Sequence, residues 1–362
     1  MRNKIPQDIS SQILTIGCEY KKSRGGIARV LSCYQAYVYE SFRFVANSGD
    51  GTKIRKLLWV ITALFRSAIA LIRHEEVRIV HIHTSSYNSF RRSVWFVRLA
   101  TLFNRKVVMH IHSGAFKTYY RDNEEFVRRI LLRCDAIVAL SDEWKNFFEN
   151  EVGHPSVFVI NNVVSEPFKL DDADERKDEK LHLLFLGLIN NDKGIFDLLQ
   201  SFAQLGDSVK NNLVLHVCGA GETERLKNMI QSLHLEHSVA FEGWVSGMEK
   251  VRLLNCCDVF VLPSYYEGLP ISILEAMSYG MAIVSTRVGG IPSVVTTDEN
   301  GYLLEPGETK ALAKTIETLV ENRDLVQWLG ASSLSRISAY FPDAVSSQLR
   351  NMYNNLLNEK MA

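Results

Sequence analysis

The chain has 362 residues, too many for one ordinary hydrophobic core and enough for two domains. Its composition, 46% hydrophobic and 23% charged, is that of a soluble globular protein. The formal charge is zero, but residues 1–170 carry 25 Lys and Arg against 15 Asp and Glu, and the remainder carries 16 against 26. A basic first half is expected to meet something anionic, such as phosphates, a membrane surface or nucleic acid; solvated basic helices are the plainer alternative.

The N-terminal stretch MRNKIPQDISSQ lacks an apolar core and does not read as a signal peptide. ILTIG is a strand, and GGIARVLSCYQAYVY after it reads as a helix. The most membrane-like run, Leu57 to Phe65, is interrupted by Arg66, whereas about 18 apolar residues are needed to span a bilayer. Its residues Leu57, Val60, Ile61 and Leu64 are spaced for one helical face, which can pack on a sheet or meet a membrane. VRIVHIH is a strand, SVWFVRLATLF a helix, and KVVMHIHSG, AIVALS and VFVINN are strands. Ser141 is placed to cap the helix that begins DEWKNFFEN.

Residues 169–180, KLDDADERKDEK, have dense charge and no periodicity, so they read as a linker. The acids Asp172 and Asp174 have no strand behind them and are not expected to hold a metal. The alternation then restarts with LHLLFLG, LVLHVCG, VAFEGWV, DVFVLPS, AIVST and GYLLEPG, separated by helical patterns. Apolar strands alternating with helices predict parallel sheets covered on both faces, in two doubly wound α/β domains. The six cysteines show no CxxC or metal spacing and are expected to be reduced and buried, which favours the cytosol.

Ligands of open α/β sheets bind beyond the C-terminal strand ends, so the candidate residues are those that follow strands. PSYYEGLPISILEAMSYG places Glu267 and Glu275 on either side of a Gly-Leu-Pro turn. Pro270 suits a helix start, and Gly268 lets backbone approach a ligand closely. The first-turn amides, from about Leu269 to Ser272 with Ile271 between them, and the helix dipole then form an anion site that a diphosphate fits. Glu275 could reach a diol beside the phosphate, and Glu267 the group on its far side; both acids could instead simply complement the dipole. Lys193 is a point charge for a phosphate. GAGETE begins like a dinucleotide fingerprint, but Glu224 occupies the third-glycine position. His81 and His83, like His110 and His112, are expected to alternate faces, with one ring of each pair in the core.

Together these stretches resemble a family 4 glycosyltransferase of the GT-B class. The likeness is strongest from FEGWVSGMEK through DVFVLPSYYEGLPISILEAMSYGMAIVSTRVGGIPSVV to NGYLLEPGE, with weaker matches at RGGIARV, VHIHTSS, HIHSG, VINNVV, FLGLINNDKG and VCGAGE. The resemblance implies two Rossmann-like domains facing a cleft. Residues 1–168 would bind the acceptor, 181–340 the nucleotide sugar, and 341–362 would form a helix crossing back to the first domain. It implies retaining hexosyl transfer from a UDP- or GDP-sugar, without metal or other cofactor. Lys193 and the backbone of Gly268, Leu269, Pro270 and Ile271 would bind the diphosphate, and Glu275 the ribose. Glu267 would contact the donor sugar, Val245 would lie near the base, Gly25 and Gly26 would close over the phosphates, and His112 would sit beside the reacting sugar.

Two positions depart from the family pattern. Leu188 stands where an Arg normally pairs with the later Lys, and Arg24, before Gly25, is the expected substitute. Asn162-Val163 replaces the usual Asn-Gly. The expected acceptor is a saccharide, lipid-linked, in bacterial surface polysaccharide synthesis. Nucleic acid is not an expected partner. The expected location is the cytoplasm, at the inner face of the membrane. A nucleotide-sugar epimerase on the same fold and a non-catalytic nucleotide-sugar-binding regulator are the alternative readings.

Overall fold

The computed structural model describes residues 3–21, 25–49, 51–170 and 178–358. Arg24 and the linker acids Asp172 and Asp174 therefore lie outside the described residues. The chain divides into two units, one of Met1–Ser165 with Ala339–Ala362, the other of Glu166–Ser338.

The first unit is built on six strands, β1 (Ile13–Cys18), β2 (Arg43–Ser48), β3 (Ile79–Thr84), β4 (Lys106–Ile111), β5 (Ala136–Ala139) and β6 (Val157–Val159). All pair in parallel, in the order β2-β1-β3-β4-β5-β6. β3, β4 and β5 are buried at every position, as a sheet covered on both faces requires. Strand β2 is not evident in the sequence pattern, because its edge position leaves Arg43, Phe44, Ala46 and Ser48 only partly buried. Ser141 does cap the Asp142–Asn146 helix, accepting from the Trp144 amide.

The last helix, Pro342–Asn358, belongs to this unit. It buries Val345, Leu349, Met352, Tyr353 and Leu356, and its Tyr353 hydroxyl lies 2.6 Å from that of Tyr39.

The second unit repeats the plan with β7 (Leu181–Leu186), β8 (Leu213–Cys218), β9 (Val239–Gly243), β10 (Val259–Leu262), β11 (Ala282–Thr286) and β12 (Gly301–Leu304). Its order, β12-β11-β10-β7-β8-β9, is all parallel. Chain direction along this sheet reverses at the β7–β10 pair, and in the first sheet at β1–β3. Such switch points open a crevice at the strand ends, because successive crossovers leave on opposite faces. The loops that follow β7 and β10 carry Lys193 and Glu267.

Candidate functional site in the second unit

After β7 the chain passes Leu188 and turns through a short 3-10 helix, Asn191–Lys193. The Asn190 side chain caps that turn by accepting from the Lys193 amide at 3.1 Å. Gly194 leaves it with φ +68°, and a Cβ there would lie 1.9 Å from the Pro263 carbonyl oxygen. Only glycine permits this approach of the β7 loop to the β10 loop. The Tyr265 amide donates to the Asp192 carbonyl at 2.8 Å and ties the two loops again.

The result is an ion pair. Lys193 Nζ lies 2.5 Å from Glu267 Oε1, and Ser264 Oγ donates to the same oxygen at 2.9 Å. The Glu267 side chain is 8% exposed and that of Lys193 is 24%, so the pair sits in a recess open on the lysine side.

Glu267 leads into the Gly268-Leu269-Pro270 turn and the Ile271–Ser278 helix. Pro270 is the N-cap of this helix, one residue before its first turn. The first inward hydrogen bond runs from the Ile273 amide to the Pro270 carbonyl at 3.2 Å, so the Ile271 and Ser272 amides precede the helical ladder. Glu275 lies further along, 5% exposed, with Lys250 Nζ at 2.6 Å from its Oε2. Two acids thus bracket a bare helix start, each held by a lysine.

The residues that support this arrangement were not evident from the sequence. Lys250 comes from the Gly247–Cys256 helix, and nothing in its spacing links it to Glu275. Gly289 and Gly290 clamp the turn from the β11 side. The Gly290 amide donates to the Gly268 carbonyl at 2.5 Å, and a Cβ on Gly289 would fall 1.7 Å from the Glu267 carbonyl oxygen.

Among the other expected residues, Val245 is buried beside the exposed Trp244, and Leu188 is half exposed. Gly25 is the N-cap of the Gly26–Cys33 helix in the first unit, where a Cβ would meet nothing within 4 Å.

The histidines correct one expectation. Residues two apart on a strand share a face, so His81 and His83 lie on the same side of β3, and His110 joins them from β4. Together with His112 they form one pile of rings, with centroids 4.5 Å apart for His81–His83, 4.7 Å for His83–His110 and 4.1 Å for His110–His112. Burial holds His81 and His112 far below the usual imidazole range, at about 3, while the Asn162 side chain opposes that shift at His112. His83 and His110 are likewise held well below it by burial. Nitrogens of His81, His83 and His110 come within 4.8 Å of one another. The rings stack, however, so their in-plane lone pairs run side by side instead of converging on one point.

Comparison with known proteins identifies the family and the fold. The family model Glycosyl transferases group 1 matches residues 168–333, and Glycosyltransferase Family 4 matches residues 37–166. The chain belongs to the family 4, group 1 glycosyltransferases. The capsular polysaccharide biosynthesis glycosyltransferase CapM of Staphylococcus aureus is 30% identical over 250 residues, covering 64% of this chain and 65% of that protein. The sucrose-phosphate synthase of Thermosynechococcus elongatus superposes with a TM-score of 0.80 at 17% identity, over 96% of this chain and 99% of that one. Anabaena HepE in complex with UDP and glucose gives a TM-score of 0.75 at 17% identity, over 96% and 100%. The fold of this glycosyltransferase is GT-B.

The glycine clamp yields the first test. Gly289→Ala is expected to cost about 2–4 kcal/mol, from left-handed strain plus overpacking against the Glu267 carbonyl. Urea unfolding of the variant beside the parent chain measures it, and an unchanged midpoint would show that the loop yields freely.

Proposed function

We propose that the protein transfers a hexosyl group, with retention, from a UDP- or GDP-sugar to a saccharide acceptor that is lipid-linked, in the building of a bacterial surface polysaccharide. The observation that carries this reading is the bare start of the Ile271–Ser278 helix between the Lys193–Glu267 and Lys250–Glu275 pairs. The likeness to CapM, a capsule glycosyltransferase, and to HepE, crystallised with UDP and glucose, supports it.

In this reading the diphosphate lies against the Ile271 and Ser272 amides and draws Lys193 towards itself. Glu275 accepts from the ribose hydroxyls, and Glu267, freed from Lys193, turns to the donor sugar. His112 is the first unit's candidate for the reacting sugar. As the glycosidic bond breaks, negative charge grows on the departing diphosphate. Preoriented amides and a lysine stabilise that charge without reorganising, so the step requires neither metal nor bound cofactor.

The first unit carries a second feature of this reading. The Lys53–Arg73 helix packs Ala63, Ser67 and Leu71 inward, yet its opposite side exposes Ile54, Leu57, Leu58, Ile61, Phe65 and Ile72. Phe65 is 69% exposed and Ile54 76%. Arg55, Arg66 and Arg73 line one flank, and the helix contains no acid. A second apolar face beside a basic flank fits the surface of an anionic bilayer, with the apolar side chains inserted at the interface. No helix among the described residues is long and apolar enough to cross a membrane.

Labelled UDP- and GDP-sugars offered with and without a lipid-linked saccharide test the transfer itself, and loss of label to water alone would overturn it. Glu275→Ala is expected to weaken nucleoside diphosphate binding by about 1.5–3 kcal/mol, read by calorimetry. Glu267→Gln is expected to lower turnover far more than it lowers that affinity. Equal losses of binding in the two variants would place both acids on the nucleotide.

Anionic vesicles are expected to pull down the intact chain in low salt, through basic residues worth about 1 kcal/mol each plus the apolar stripe. Arg55→Gln with Lys56→Gln should reduce the salt-sensitive part, and Leu58→Glu with Phe65→Glu the part that survives salt. Equal recovery with neutral and anionic vesicles would remove the electrostatic contribution.

A further inference from the structure

Among the described residues the four imidazoles have hydrogen-bonding neighbours at three places, one of them the Asn162 side chain at His112. His83 Nδ1 lies 2.9 Å from His112 Nε2, and His81 Nδ1 lies 2.5 Å from the Tyr353 hydroxyl, which in turn meets Tyr39. His81, His83 and His110 are at most 2% exposed, whereas His112 sits at the partly exposed end. The outer nitrogens Nε2 of His81 and His83 have no hydrogen-bond partner among the described residues. Burial keeps all four rings neutral near pH 7, so each carries one proton; the contacts decide where it sits on His81, His83 and His112, whereas neither nitrogen of His110 has a partner among the described residues.

Two arrangements satisfy the His83–His112 contact. If His112 Nε2 carries the proton, His83 must be protonated at Nε2, and a buried N–H is left without an acceptor. If His83 Nδ1 carries it, only a bare lone pair is left at His83 Nε2. A buried orphan N–H is the rarer and costlier state, so the second arrangement wins. His112 Nε2 then accepts, and the proton of His112 sits on Nδ1. The same reasoning makes His81 Nδ1–H the donor to Tyr353, which anchors the far end of the pile on the last helix.

We propose that His83 is a positioning residue which locks His112 as its Nδ1–H tautomer, so that His112 meets substrate as a hydrogen-bond donor and not as a base. His110 stacks at 4.1 Å on His112 and lies tilted against His83 at 4.7 Å, and so keeps the His112 ring from swinging out of line. The catalytic consequence rests on the reading that His112 adjoins the reacting sugar; the tautomer itself does not.

Long-range proton–nitrogen spectra of the intact chain labelled with nitrogen-15 histidine read the tautomer directly, with His112 assigned by its loss in His112→Gln. A protonated Nδ1 and bare Nε2 at His112 are expected, and a protonated Nε2 would overturn the proposal whether or not transfer is seen. Kinetics with the accepted nucleotide sugar supply the second readout. His83→Phe keeps a stacking ring but no donor, and is expected to lower kcat about tenfold or more with KM for the donor nearly unchanged. His83→Asn returns an N–H near the Nδ1 position and is expected to restore most of that loss. Equal defects in Phe and Asn would show that His83 only fills space. Should His83→Phe fail to fold, the parent spectrum still decides. A correct tautomer in a chain without transferase activity would leave the positioning intact and sink the proposed function.

Discussion

The second unit's site depends on one close approach of backbone to backbone. The loop after β11 presses Gly289 and Gly290 against the carbonyls of Glu267 and Gly268, closer than any side chain would allow. The Gly290 amide satisfies the Gly268 carbonyl, which turns that peptide so that the amides after it begin a helix. The same loops are bolted behind the turn, where Thr286 Oγ1 donates to the Ser264 carbonyl and Ser285 Oγ to that of Leu262. Ser264 is thereby fixed and can hold Glu267 against Lys193. The ion pair, the helix start and the acid within the helix all inherit their positions from that contact.

Why these groups lie near one another follows from parallel pairing. Every strand of a parallel sheet ends on the same edge, so the loops after β7, β10 and β11 are neighbours although they are distant in sequence. A lysine, a glutamate and two glycines drawn from three loops can then form one constellation. Each loop needs only its own short turn chemistry. The first unit applies the same rule to histidines, since β3 and β4 are neighbours in register, with His83 opposite His110.

Much of this was legible in the chain. Eleven of the twelve strands stand out as apolar runs, and the pairing of Glu267 and Glu275 around Gly-Leu-Pro marks the helix start. Strand β2 escaped because an edge strand with polar ends carries little of the apolar signal that the other strands share. The histidine faces follow from the strand period, which places residues two apart together and so gathers His81 and His83 on one side. Lys250 was invisible for a different reason. A salt bridge between two helices that pack over the same sheet leaves no trace in local spacing. The exposed side of the Lys53–Arg73 helix was half legible. Its apolar residues are numerous enough for two faces, and only the packing shows which of them turn inward.

The neutral histidine pile also gives the first unit an asymmetric relation to acid. An unfolded chain would protonate these rings near the ordinary imidazole pKa of about 6.5, whereas the folded unit resists until about pH 3 at His81 and His112. Between those values the unfolded state binds more protons, so folding stability is complete above the upper limit and drains away as pH falls towards the lower one. Among the described residues no carboxylate is hydrogen-bonded to the stacked rings to offset the change. In the second unit His182 and His216 lie beside Asp178 and Glu242. Mild acid therefore loosens the unit that holds the last helix and the exposed apolar stripe.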